Sequence, residues 1–131
     1  MIYLDSCVVI YWVESHSVFA SRIEQRVLQV AHAEFAISPL VIAEVLVMPF
    51  RQNNVALIQR YEAFFANSVV LTMPEIIFIK TARLRATHPS LRTPDALHLA
   101  TAQHHECEVF WTNDERLQQT VGCYADNVCL G

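Results

Sequence analysis

Glycine is nearly absent from this chain, with only Gly122 and Gly131 among 131 residues. Tight two-residue hairpins need glycine for positive φ, and phosphate-cradling loops need it for close backbone approach. An all-β hairpin protein and a glycine-rich nucleotide cradle are therefore both excluded. Charge is sparse as well: 17% of residues are charged against 53% hydrophobic, which excludes a disordered chain and implies a well-covered core. The four cysteines, Cys7, Cys107, Cys123 and Cys129, contain no C-x-x-C pair. They read as buried thiols rather than as a zinc site or a disulfide framework. No apolar run is long enough to span a bilayer: the first thirteen residues are interrupted by Asp5 and carry no basic leader. The expectation is one cytoplasmic domain over residues 1–131, with no membrane association.

The formal net charge of −4 at first disfavours a nucleic-acid partner, which requires a positive surface. Its distribution changes that, although an ordinary mixed surface accounts equally well for any single arginine. Thirteen acids face nine basic residues, so setting aside the four acids singled out below leaves the two signs equal. Eight of the nine basic residues are arginine, the side chain suited to bidentate phosphate contacts.

Short apolar strands are expected at residues 2–4, 35–37, 69–71, 109–111 and 127–130. Between them lie helical patterns at 8–13, 17–32, 38–47, 53–66, 74–86, 93–105 and 115–119. Ser6, Ser38 and Thr93 read as helix caps; Pro39 and Pro94 fit the first helical turn, and Pro49 reads as a stop. Strands alternating with helices indicate an α/β fold with a mostly parallel sheet covered on both faces. Open parallel sheets bind ligands beyond the carboxyl ends of their strands, so residues just after a strand have functional priority.

Four acids meet that criterion or violate ordinary burial rules. Asp5 and Asp114 follow strands, and Asp95 lies in the first turn of a helix. Glu44 has Leu40, Val41, Val47 and Met48 as its same-face helical neighbours, all apolar, where a carboxylate loses solvation unless donors or a cation compensate it. Each acid alone has an ordinary explanation: Asp5 and Asp114 as turn or cap residues, Asp95 as a dipole-favoured first-turn acid, Glu44 as the rim of a buried helix. Together they form a pattern. Converging carboxylates repel and need neutralising, and an all-oxygen donor set suits the hard cations Mg²⁺ and Mn²⁺ rather than zinc. A carboxylate-held metal activates water for in-line attack at phosphorus, so phosphodiester hydrolysis follows more naturally than acyl transfer.

With these residues in view, the chain resembles the PIN-domain nucleases, most of all the VapC-type toxins of bacterial toxin–antitoxin pairs. The resemblance rests on four segments in family order: Ile2-Tyr3-Leu4-Asp5-Ser6, Ser38-Pro39-Leu40-Val41-Ile42-Ala43-Glu44-Val45, Thr93-Pro94-Asp95-Ala96-Leu97-His98-Leu99-Ala100-Thr101-Ala102, and Trp111-Thr112-Asn113-Asp114. It implies a five-stranded parallel sheet, metal-dependent RNA cleavage, a homodimer and a cognate antitoxin. By position it assigns Asp5, Glu44, Asp95 and Asp114 to the metal site, with Ser6 and Thr112 as supporting hydroxyls. Cys7 departs from the family's usual non-thiol residue and puts little in doubt.

His98, three residues after Asp95, reads as an ordinary helical histidine rather than a ligand. His104 and His105 read as a solvated helix end. Lys80, Arg83, Arg85 and Arg92 form a basic stretch that either contacts RNA phosphate or is a solvated face. Competing functions are a housekeeping PIN nuclease in RNA processing, an inactive RNA- or protein-binding module, and a phosphatase with Asp5 as nucleophile. The phosphatase chemistry calls for a second aspartate two residues on, where Cys7 stands.

Overall fold

The computed structural model describes residues 1–130; Gly131 and the side chain of Cys123 lie outside the described residues. In chain order the elements are β1 (Ile2–Leu4), α1 (Ser6–Val13), α2 (Phe19–Gln29), β2 (Phe35–Ile37), α3 (Pro39–Arg51), α4 (Val55–Ala66) and β3 (Val69–Val70). There follow α5 (Glu75–Thr87), α6 (Thr93–His104), β4 (Val109–Thr112), α7 (Glu115–Val121), a 3-10 turn over Gly122–Tyr124, and β5 (Ala125–Asn127).

The five strands form one all-parallel sheet in the order β3-β2-β1-β4-β5. Three apolar residues suffice for β1 because it is the middle strand: Tyr3 and Leu4 are wholly buried, and Tyr3 pairs with Ala36 on one side and Phe110 on the other. The chain builds outward from β1 to β3, then returns to place β4 on β1's other side. Right-handed crossovers in these opposed directions put α1–α4 on one face and α5–α7 on the other; accordingly α1 packs on α2, α3 and α4, and α5 on α6. Beyond the carboxyl ends of β1 and β4, where the winding reverses, the sheet opens a crevice. Asp5 and Thr112 stand at its two walls.

Several local expectations are corrected. Asp5, not Ser6, caps α1, its Oδ1 accepting the Ser6 N–H at 2.8 Å. Ser38 stands at the start of α3 but makes no capping bond, because its hydroxyl meets that of Tyr3 at 2.8 Å. Thr93 is already helical, and the residue before α6 is Arg92. Pro49 does not stop α3: it lacks one N–H, but the turn beyond it closes through Gln52 N–H to Met48 O and Asn54 N–H to Pro49 O, both 3.0 Å. The last strand comes earlier than 127–130, at Ala125–Asn127, since pairing with Phe110–Thr112 outranks the apolar pattern of Val128 and Cys129. Gly122 ends α7 at φ 65 and ψ −144, a conformation open essentially only to glycine.

Of the expected buried thiols, Cys107 and Cys129 are buried and Cys7 is partly exposed. Among the described residues no helix is long and apolar enough to cross a membrane.

Candidate active site

Asp5 is delivered to the crevice by the end of β1, where its backbone N–H donates to the carbonyl of Trp111 on β4 at 2.9 Å. Its second oxygen, Oδ2, accepts the hydroxyl of Thr112 at 2.7 Å. The same Thr112 hydroxyl accepts the N–H of Asp114 at 3.0 Å, so one wholly buried threonine fixes both the first acid and the start of the turn that carries the fourth. Burial raises the Asp5 carboxyl above its ordinary range, although His98, Thr112 and the Ser6 N–H oppose the shift.

Glu44 reaches the site from α3. Its Oε1 accepts the Ser6 hydroxyl at 2.7 Å and lies 2.6 Å from His98 Nε2. That histidine is buried and sits in α6, from the opposite layer of helices, and its Nε2 is also 3.9 Å from Asp5 Oδ1. Its other nitrogen, Nδ1, lies 2.7 Å from the hydroxyl of Tyr3. If Nε2–H donates to the carboxylate, Nδ1 accepts from Tyr3, whose oxygen accepts from Ser38. Every group in this buried chain is then satisfied. Burial pushes the Tyr3 hydroxyl far above the usual phenol range, so it stays protonated and able to donate. Burial alone would also raise Glu44, but its hydrogen bonds with His98 and Ser6 outweigh it, and the net shift is downward.

This corrects the expected environment of Glu44. It is not buried in an apolar helix face: its side chain is 35% exposed, and Val47 and Met48, 44% and 52% exposed, share an open surface with it. Of the two, Asp5 is the acid on which burial prevails.

Asp95 lies in the first turn of α6, its Oδ2 accepting the Arg92 N–H at 3.2 Å. Asp114 caps α7, its Oδ1 accepting the Arg116 N–H at 2.9 Å. The Arg116 side chain folds back on it, with Nε 3.2 Å from Oδ1 and Nη2 2.7 Å from Oδ2, and Nη2 is also 3.8 Å from Asp95 Oδ2. The hydrogen bond to Arg116 holds the Asp114 carboxyl below its usual range, against the opposing effect of burial. An open depression of about 520 Å³ runs past these groups, bordered by Asp5, Cys7, Tyr11, Asn113, Asp114 and Arg116. Burial lifts the Cys7 thiol well above its normal range, so it is neither a thiolate nucleophile nor a ready soft ligand.

The four sequence-predicted acids thus arrive from β1, α3, α6 and the β4–α7 turn at one end of the sheet, with Ser6 and Thr112 bonded to them. The donor set is hard oxygen throughout, and the desolvated Asp5 carboxylate is one that a cation would relieve, so these residues fit Mg²⁺ or Mn²⁺. Among the described residues no three His, Cys, Asp or Glu side chains form a ready-made metal cage. The reason is visible in the bonds: Glu44 is drawn to Ser6 and His98, and Asp114 to Arg116.

The basic stretch divides. Arg85 donates to the Leu91 carbonyl at 3.2 Å and to Thr93 Oγ1 at 2.8 Å, gathering with Arg92 at the start of α6. Lys80 and Arg83 line a separate groove on α5 with Ile76, Ile79 and Leu84. Sequence reasoning missed Tyr3, Ser38 and Arg116 as partners of the site. The spacing of His98 from Asp95 on one helical face was the available signal for a fourth.

The chain belongs to the PIN domain family, whose model matches residues 2–122. No curated protein matches it in sequence. Its fold is shared with VapBC2 from Rickettsia felis, solved bound to a promoter DNA fragment: TM-score 0.80 and 16% identity over 97% of this chain and 98% of that one. A toxin–antitoxin complex from Klebsiella pneumoniae matches with TM-score 0.80 and 20% identity over 98% of both chains. FitAcB from Neisseria gonorrhoeae matches less closely, with TM-score 0.59 and 18% identity over 98% of both.

Proposed function

We propose that this chain is a Mg²⁺- or Mn²⁺-dependent endoribonuclease, the toxin of a toxin–antitoxin pair, acting in the cytoplasm as a homodimer held in check by a cognate antitoxin. The observation that carries the reading is the convergence of Asp5, Glu44, Asp95 and Asp114 at the crevice where the sheet's winding reverses, with Asp5 desolvated yet anchored by Thr112. Membership in the PIN family supports nuclease chemistry. The toxin assignment draws on the likeness to structures described as toxin–antitoxin assemblies.

The four acids would hold the cation. When bound, it supplies charge neutralisation at the phosphate and an activated water. The chain's own residues do the positioning. Thr112 and the Ser6 N–H set the two oxygens of Asp5, Ser6 Oγ and His98 set Glu44, and the Arg92 N–H sets Asp95. The open depression beside Asp5 and Asp114 gives a phosphodiester strand access from solvent, and Arg85 and Arg92 beside the start of α6 offer bidentate phosphate contacts.

The test is cleavage of single-stranded and structured RNA by purified protein with Mg²⁺ or Mn²⁺, with and without EDTA. Cleavage is expected to vanish with EDTA and in Asp5→Asn and Asp95→Asn, each with an unchanged circular dichroism spectrum. Undiminished cleavage in either variant would overturn the site assignment.

A further inference from the structure

The guanidinium of Arg116 spans two acids from different elements. It grips both oxygens of Asp114, through Nε at 3.2 Å and Nη2 at 2.7 Å, and the same Nη2 stands 3.8 Å from Asp95. Among the described residues it is the one arginine or lysine within ion-pair distance of any of the four acids. It puts positive charge at the meeting of Asp95 and Asp114, the place where a divalent ion held by those two carboxylates would have to put its own. The Arg116 side chain is 51% exposed, so moving it outward gives up little packing.

We propose that Arg116 is the resident counter-cation of the acidic crevice, and that a divalent ion binds by displacing its guanidinium from Asp114 and Asp95. This rests on the reading of those acids as a metal site. The competition follows from lone pairs. Asp114 Oδ1 already accepts two N–H groups of Arg116 and Oδ2 accepts a third, so three of the carboxylate's four lone-pair sites are taken and the fourth lies beside the guanidinium's positive charge while both grips hold. The backbone N–H bond can stay, since it also caps α7. Arg116 thereby sets the metal concentration at which the site loads, keeping two facing carboxylates neutralised until then.

A competitor and a structural residue leave different thermodynamic traces. Removing a competitor destabilises only the metal-free protein, so the rise in melting temperature on adding metal becomes larger. Removing a structural residue lowers both states and leaves that rise unchanged. The experiment measures Mn²⁺ binding to the full chain by calorimetry, and melting with EDTA and with saturating Mn²⁺, for wild type, Arg116→Gln and Arg92→Gln. The third chain tests whether any nearby positive charge acts alike. The Nε–Hε resonance of Arg116 is followed during a Mg²⁺ titration of wild type. Expected are about 1.5- to fivefold tighter Mn²⁺ binding in Arg116→Gln, the range an exposed ion pair can account for, together with a larger metal-induced melting shift. The resonance should move with the binding midpoint. Unchanged or weaker binding in Arg116→Gln, an equal gain in Arg92→Gln, or a resonance that ignores the metal would each overturn the proposal. Absence of Mn²⁺ binding in all three chains is a separate result, rejecting the metal-site reading and this inference with it.

Discussion

His98 Nε2 lies 2.6 Å from Glu44 Oε1, joining a helix on one face of the sheet to a helix on the other. The bond passes around the end of β1 and is continued by Tyr3, on that strand, to Ser38. It is the point at which the two layers of the domain share one polar network, and it predicts that His98 matters more than an ordinary helical histidine would.

His98→Ala leaves the Tyr3 hydroxyl without its acceptor and opens a void among buried groups. A loss of about 2–4 kcal/mol in unfolding free energy is expected from the unsatisfied partner and the cavity together. Urea denaturation measures it. A loss below about 0.5 kcal/mol, the range of an ordinary surface change, would show that the network contributes nothing to the fold.

Asp5 and Glu44 are expected to shift the pH dependence of stability in opposite directions. The folded Asp5 carboxyl titrates above its unfolded value of about 4, because of burial. Its contribution is therefore present at low pH and lost as pH rises through the folded value. With metal removed by chelator, Asp5→Asn should hold its stability better than wild type as the pH rises above about 4 toward neutrality. Thermal melts across that range decide it; a wild-type slope in the variant would refute the desolvation of Asp5.

Glu44 runs the other way. Burial pushes its carboxyl up, but His98 and Ser6 bring it below the unfolded value, so its contribution is present at neutral pH and lost as pH falls through the folded value. Glu44→Gln keeps an acceptor oxygen and loses the charge. The metal-free variant is expected to be less stable than wild type at neutral pH, by about 1 kcal/mol or less given its exposure. The difference should shrink in acid. A variant more stable than wild type at pH 7 would return the electrostatic burden to Glu44, as its helical neighbours alone suggested.

Clusters of three apolar side chains remain open on each of two helices. Val47, Met48 and Phe50 on α3, and Ile76, Phe78 and Ile79 on α5, are each between 44% and 58% exposed. Such surface on a small domain supports the proposed homodimer. Sedimentation at micromolar concentration should give a dimer, and Ile79→Asp or Phe50→Asp a larger share of monomer. A monomeric wild type would remove the dimer from the reading.

The layout of strands and helices was legible in the chain because each element carries its own signal. Ile2-Tyr3-Leu4 and Val109-Phe110-Trp111 are short apolar runs between helical patterns, and proline follows Ser38 and Thr93 where helices begin. Asp5, Asp95 and Asp114 stood out because strand ends and first helical turns are local features, and Glu44 because its same-face helical neighbours are apolar. What the chain alone decided, then, was which residues are carried to the ends of elements. Tertiary structure decided which of them meet what. Only the winding reversal beside β1 brings Thr112 to Asp5, and only closure of both helical layers brings His98 to Glu44 across 54 positions of sequence. Glu44's same-face neighbours are apolar whether that face is covered or open, so helical periodicity assigned the burial to the wrong acid. Burial is a property of the neighbouring layer, and a helix's own sequence does not contain it.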